Sequence, residues 1–277
     1  MHSAVLLELT YNMKHFPNPQ YALAIKNNIC SFVAYINDIP AFYNVNGTAY
    51  NLCVPINHLV RNGENTFKVL VTPLKPSAHL VQLSECFASI IVKDIFDNAD
   101  QFVEIAITGF PEGTSNDTIK LPGFEVKGVF EARIPFKDAY WTEAPSMEKN
   151  KSTHIDQARR YFKAFHEALE QKNTAVIFNE IATREMEFSK AFYEEYEEGF
   201  DKTKKDFNGT LDDPNYVLQK IDPLKFIPKF YADFRIITFE NEKFEQPIFF
   251  LNDVEFTRRQ YPLYLCLNKD NKMMIIR

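Results

Sequence analysis

Residues 166 to 170 read HEALE. His166 and Glu167 match the first half of H-E-x-x-H, a spacing that aims two imidazoles one helical turn apart at a single zinc ion. Glu170 stands where the second His is required. One imidazole does not make that site. Phe162 and Phe165 run an apolar stripe beside His166, so the stretch reads as the boundary of an amphipathic helix face.

Other chemical spacings are also incomplete. GFEVKGV, Gly123 to Val129, has the outer glycine spacing of a phosphate-binding loop but lacks the Lys and Ser/Thr that hold phosphate and metal. It falls in a predicted strand. DIFDNADQFVE groups Asp94, Asp97, Asp100 and Glu104, the oxygen donors a hard cation takes. Its spacing is not that of an EF-hand and its central glycine is missing, so Asp and Asn read as turn residues. No G-x-S-x-G elbow occurs. His58 follows Cys53 by five residues, which leaves a nucleophile–base pair undefined. No catalytic residue, metal ligand or cofactor site is assigned, and the reading leans away from an enzyme.

The most unusual stretch is REMEFSKAFYEEYEEGFDKTKKD. Glu185, Glu187, Glu194, Glu195, Glu197, Glu198 and Asp201 crowd one helical region, with Phe188, Phe192, Tyr196 and Phe200 at every fourth position. On a continuous helix, Glu194 repels Glu197 and Glu198, and Glu198 repels Asp201, at a cost of a few tenths of a kcal/mol per pair. A Lys- or Arg-rich partner relieves that cost. The plain alternative is a solvated face over an aromatic core stripe. A carboxylate-bridged metal site would need an E-x-x-H partner, which is absent. Glu194, Glu195, Glu197, Glu198 and Asp201 are therefore the candidate partner-binding residues.

These residues must be positioned by two different architectures. The chain has 277 residues, 45% of them hydrophobic, enough for about two domains, each with its own core. Phe is abundant, at 26, and Gly scarce, at 8. The net charge of −6 and pI near 5.6 disfavour a nucleic-acid binder and permit a basic protein partner. Cys30, Cys53, Cys86 and Cys266 are far apart and read as free, buried thiols; one bridge in the N-terminal half stays open for an oxidising compartment. The opening MHSAVLLELTYNMKHF is too short in its apolar run, broken by Glu8, for a signal peptide. No stretch approaches 18 apolar residues, so no membrane span is expected. The expected compartment is the cytoplasm, or the periplasm if a leader has been removed.

The first half alternates with period two, as strands do with one face on a core. Val5, Leu7, Leu9 and Tyr11 form one such run; Phe67, Val69 and Val71 another; Val103, Ile105 and Ile107 a third. SFVAYIN, CFASIIVKD and FEVKGVFEARI are further strands. Seven or eight short strands predict an antiparallel β-sandwich over residues 1–138. The polar stretch at 139–152 reads as a linker.

Over 153–277, helices come first. Thr153 is the expected N-cap, and Ile155, Ala158, Phe162, Phe165 and Leu169 form a core-facing stripe. A second helical region runs from about Thr174 to Lys205 with a break expected near Gly199. Asp213 and Pro214 predict the start of a short helix. KFYADFRIITFE, QPIFFLNDVEF, YPLYLCLN and KMMIIR then read as a four-stranded antiparallel meander, with Asn268-Lys269-Asp270-Asn271 as a hairpin turn. The fold class is α+β: an N-terminal antiparallel β-sandwich followed by a domain whose helices pack on a curved sheet.

In the N-terminal half, Asn37, Ile56, Asn57, Leu59, Gly63, Glu64 and Asn65 follow a pattern that resembles the accessory jelly-roll β-sandwich modules of glycoside hydrolases. The resemblance implies a sandwich and no substrate, with Gly63 at positive φ and Asn65 bonded to nearby backbone. The order of elements in the C-terminal half resembles nuclear-transport-factor-2-like and cystatin-like folds, in which helices cover a curved sheet. In overall character the chain is similar to bacterial toxin-immunity proteins: acidic, without catalytic motifs, and rich in Asn, Lys, Ile and Phe. The leading expectation is a non-enzymatic protein that binds and neutralises a basic toxin or effector. The sandwich loops NVNG and FPEGTSND are further contact candidates. The alternative is a small-molecule pocket or enzyme in the C-terminal domain, with the sandwich as an accessory module. A carbohydrate role for that sandwich would rest on Tyr35, Phe42, Tyr43 and Tyr50.

Overall fold

The computed structural model describes residues 16–81, 83–96, 103–108, 121–222 and 225–276, without the side chains of 106–108. The Val5–Tyr11 strand, Asp97, Asp100 and the FPEGTSND loop lie outside the described residues. The chain divides into two compact units, Met1–Asp138 and Ala139–Arg277.

The first unit holds β1 (Pro19–Asn28), β2 (Ser31–Ile36), β3 (Ile39–Asn44), β4 (Tyr50–Pro55), β5 (Gly63–Thr72), β6 (Glu85–Asp94), β7 (Val103–Thr108) and β8 (Phe124–Ala132). They form two antiparallel four-stranded sheets, β4-β1-β6-β7 and β3-β2-β5-β8. β5 shows why: Asn65, Phe67, Val69 and Val71 are buried while the residues between them are not. Gly128 faces Phe67 across β5 and β8, and any β-carbon there would overlap the Phe67 ring.

The β-sandwich is keyed by three buried asparagines. Asn37, itself at φ 50°, donates through Nδ2 to Leu59 O (2.8 Å) and to Asn65 Oδ1 (2.7 Å). Its Oδ1 accepts from Thr66 N (3.0 Å). Asn65 donates to Arg61 O and Gly63 O, each at 2.8 Å, and accepts from Arg61 N at 2.9 Å. Asn57 bridges Tyr21 N and Pro19 O, at 2.6 and 2.9 Å. Gly63 takes φ +88°. Each amide thus satisfies backbone groups that the sheets leave unpaired.

The second unit begins before its first helix. Trp141, Ala144 and Met147 are buried, and Met147 N donates to Phe234 O at 2.9 Å. The stretch expected as a linker is thus bound to the second unit through apolar residues at three-residue spacing. The helix α1 (Lys151–Glu170) has Asn150, not Thr153, as its N-cap residue. The next, α2 (Thr174–Phe192), is capped by Asn173, whose Oδ1 accepts from Val176 N at 3.3 Å. It ends at Tyr193, which adopts the left-handed conformation with φ 59°. The third helix, α3, spans Tyr196–Asp212. The break therefore falls at 193–195, ahead of Gly199, which lies inside α3.

No helix starts at Asp213. Its Oδ1 accepts from Asn215 N and its carbonyl from Tyr216 N, closing a turn into the strand β9 (Tyr216–Leu218). KFYADFRIITFE folds as a hairpin of β10 (Ile227–Tyr231) and β11 (Ile236–Glu240), with Ala232, Asp233 and Phe234 all at positive φ. QPIFFLNDVEF likewise stops at Asn252, giving β12 (Phe249–Asn252), which turns back into β13 (Thr257–Gln260). β14 (Leu265–Leu267) and β15 (Met273–Ile275) pair across the expected turn, where Asn268 Oδ1 accepts from Asp270 N and Lys272 N. The expected single meander is two antiparallel sheets, β10-β11-β14-β15 and β13-β12-β9. The helical stripe Ala158, Phe162, Phe165, Leu169, Ile177 and Ile181 packs with Ile237, Phe239, Leu265 and Ile275 of the larger sheet and Phe250 of the smaller. The chain is α+β.

Candidate functional site

His166 is buried, and its Nε2 lies 2.8 Å from Gln219 O. A carbonyl only accepts, so Nε2 carries the hydrogen and donates. Glu170 Oε1 lies 3.7 Å from Nδ1. The imidazole ties α1 to the segment after β9. Among the described residues no group of three or more His, Cys, Asp or Glu is placed to hold a metal ion. Asp94 serves turn chemistry, its carboxylate accepting from Asn18 N and Phe96 N at 3.1 Å.

The acidic segment separates into two sets. Glu185 and Glu187 leave the surface. Glu185 accepts from Thr203 Oγ1 (2.6 Å) and Arg184 Nε (2.7 Å), which fastens α2 to α3. Glu187 accepts from Tyr140 N at 2.5 Å. Burial pushes its carboxyl up to about 7, against the partial relief of that N–H and of Lys190. Burial and Glu187 push the Cys266 thiol up to about 12.

Glu194, Glu195, Glu197, Glu198 and Asp201 are all solvent-exposed. Glu194 and Glu195 lie in the break between helices, and Glu197 and Glu198 in the first turn of α3. There the helix dipole favours negative charge, by roughly 0.3–1 kcal/mol per residue. Asp201 pairs with Lys204 at 2.9 Å. The repulsion expected on one continuous helix is thus reduced by the break, the dipole and one ion pair.

A second surface feature carries no sequence signal. The β12–β13 tip, Asp253 to Phe256, carries Val254 at 71% exposure and Phe256 at 94%. Phe256 also has φ 53°, a region a bulky side chain rarely adopts. The tip is pinned from below: buried Asn252 Oδ1 accepts from Val254 N and Glu255 N, both at 3.0 Å. The pairings Asn252–Tyr216 and Asn252–Thr257 place its base beside the turn that follows α3. At ~1.5 Å per residue, α3 spans roughly 25 Å, so the exposed acids and the tip lie toward its opposite ends.

Other sequence candidates resolve plainly. Cys30, Cys86 and Cys266 are buried free thiols; Cys53 is free and exposed. Cys30 donates to Glu85 O at 3.2 Å, and the hydrogen bond with Cys30, together with burial, pushes the Cys86 thiol up. Tyr35 is buried beneath Lys68, whose Nζ lies 4.4 Å from the ring centroid. Phe42 packs edge-on against Tyr50, with centroids 5.6 Å apart. The NVNG loop is folded onto its own backbone, Asn44 Oδ1 accepting from Asn46 N and Gly47 N.

Two interior features were also invisible in the sequence. Glu240, 1% exposed, accepts from Tyr231 Oη, while its Oε2 has no hydrogen-bond partner and burial raises its pKa. A cavity of about 390 Å³ opens beside α1, floored by Phe162, Phe226 and Phe239 and rimmed by Arg159, Lys163 and Lys220.

With this geometry described, comparison with protein-family models, curated proteins and solved structures gave no match. No helix among the described residues is long and apolar enough to cross a membrane.

Proposed function

We propose that this chain acts by binding another protein, and most specifically as an immunity-type module that occupies and neutralises a basic toxin or effector. The observation that carries the reading is Phe256, 94% exposed and at φ 53° on a hairpin tip fixed by Asn252. Exposed aromatics, Phe among them, are enriched at protein interfaces, and strained backbone concentrates at functional positions. Asp253 and Glu255 precede it on the same tip, and the exposed acids at the start of α3 have the same sign. Charge of one sign steers a basic partner and rejects acidic ones. The proposed compartment is the cytoplasm, or the periplasm of a bacterium for a chain whose leader has been removed.

The test is a photo-crosslinking residue placed at position 256 and, in a second variant, at position 197. Crosslinks from both sites to one basic protein, lost in a Glu194/Glu195/Glu197/Glu198→Lys variant, are the expected result. Crosslinks to unrelated proteins, or binding that survives both Phe256→Ser and the charge reversal, contradict it. The cavity beside α1 favours a second, small-molecule reading.

A further inference from the structure

The cavity beside α1 joins an apolar floor to an unbalanced charge. Its volume, about 390 Å³, lies within the range of small-molecule sites. Phe162 and Phe239 meet edge-to-face on the floor, with centroids 5.2 Å apart, and Phe226 adds a third ring. At the rim, Arg159 is engaged by Asp156 at 3.1 Å and Lys163 by Glu167 at 3.6 Å. Lys220, also on the lining, has no ion-pair partner among the described residues.

The backbone that leads into Lys220 is anchored. Its neighbour Gln219 is fixed from two sides: its carbonyl accepts from His166 Nε2 at 2.8 Å, and its N–H donates to Phe249 O at 3.0 Å. The buried imidazole of HEALE thus anchors the backbone that brings Lys220 to the cavity wall. Glu167 and Glu170, also on the lining, disfavour a second negative charge on an occupant.

We propose that this cavity binds a small aromatic monocarboxylate, its ring against Phe162, Phe226 and Phe239 and its carboxylate at Lys220. A cation beside an apolar slot distinguishes an anion from its neutral isostere by direct charge attraction, which solvent at the exposed Lys220 keeps modest. This site is independent of the surface proposed for a protein partner, so either can fail without the other.

The test uses the full chain and 3-phenylpropionate, with 3-phenylpropanamide as the neutral isostere, followed by amide chemical shifts in a two-dimensional NMR titration. The acid is expected to saturate at millimolar concentration or below, shifting amides of 159–170, 219–222 and 225–226. The amide isostere should bind on the order of tenfold more weakly. Lys220→Glu, at an exposed position, should erase that preference while leaving the remaining spectrum unchanged, and Phe226→Ala should weaken both compounds. Absence of saturation by about 10 mM overturns the site, since that is weaker than the millimolar range of specific fragments. Equal binding of acid and amide, or a preference that survives Lys220→Glu, overturns the carboxylate assignment.

Discussion

Asn65 shows how much of the first unit rests on single side chains. Its amide makes hydrogen bonds to Arg61, Gly63 and Asn37 at 0% exposure. Asn65→Ala removes a buried bond to Asn37 and three part-buried bonds to the backbone of Arg61 and Gly63, and each group left unsatisfied costs about 1–3 kcal/mol. Chemical denaturation should show a loss of at least ~2 kcal/mol, concentrated in the first unit. A change within the range of a surface substitution contradicts the keying role. Glu187 predicts a pH dependence of the second unit. Its folded pKa, about 7, lies above the ordinary 4.5, so the folded state holds the proton more tightly than the unfolded chain. Its contribution is therefore fully present below pH 4.5 and is lost as the pH rises through about 7. Lys190, the Tyr140 N–H and the Cys266 thiol are the groups around it. Glu187→Gln should raise the melting temperature above pH 7, leave it unchanged below 4.5 and flatten the slope between. Buried Glu240 shifts in the same direction, so some slope should remain.

At the scale of elements, Gly128 and Phe67 explain why β8 tolerates a glycine in mid-strand. The ring covers the space a side chain would fill. Gly128→Val should destabilise by about 1–3 kcal/mol through overpacking, read as a lowered midpoint in denaturant, whereas a neutral effect would show that the strands separate freely. The strands were legible where burial alternates, as in β5, and where turn chemistry is local, as at Gly63 and Asn268. They were illegible where a turn uses unusual residues. Ala232, Asp233 and Phe234 reverse the chain between β10 and β11 without glycine, so one long strand was expected there. Asn252 ends β12 through its side chain, which left Phe256 unmarked as a tip. Asp213 and Pro214 carry signals that a helix start and a tight turn share, and tertiary pairing of Tyr216 with Asn252 decides for the strand. Tyr193, left-handed at the end of α2, is a position where glycine is the usual signal, so the break was expected six residues late, at Gly199.

For the whole molecule, the candidate site was half legible. The run of Glu194, Glu195, Glu197 and Glu198 is visible as charge, and its exposure follows from the break that ends α2. Phe256, Lys220 and the aromatic floor become a surface and a cavity only through contacts made across the sequence. With exposed acids on a chain of net charge −6, the proposed basic partner should be held by a salt-sensitive interaction. The most direct measurement is capture from the native lysate on the purified chain, eluted in steps of salt and repeated with Phe256→Ser and with Glu194/Glu195/Glu197/Glu198→Lys. One stoichiometric basic partner, released by salt and lost from both variants, is the predicted result. No retained protein at low salt, or equal retention by all three baits, would contradict the binding account.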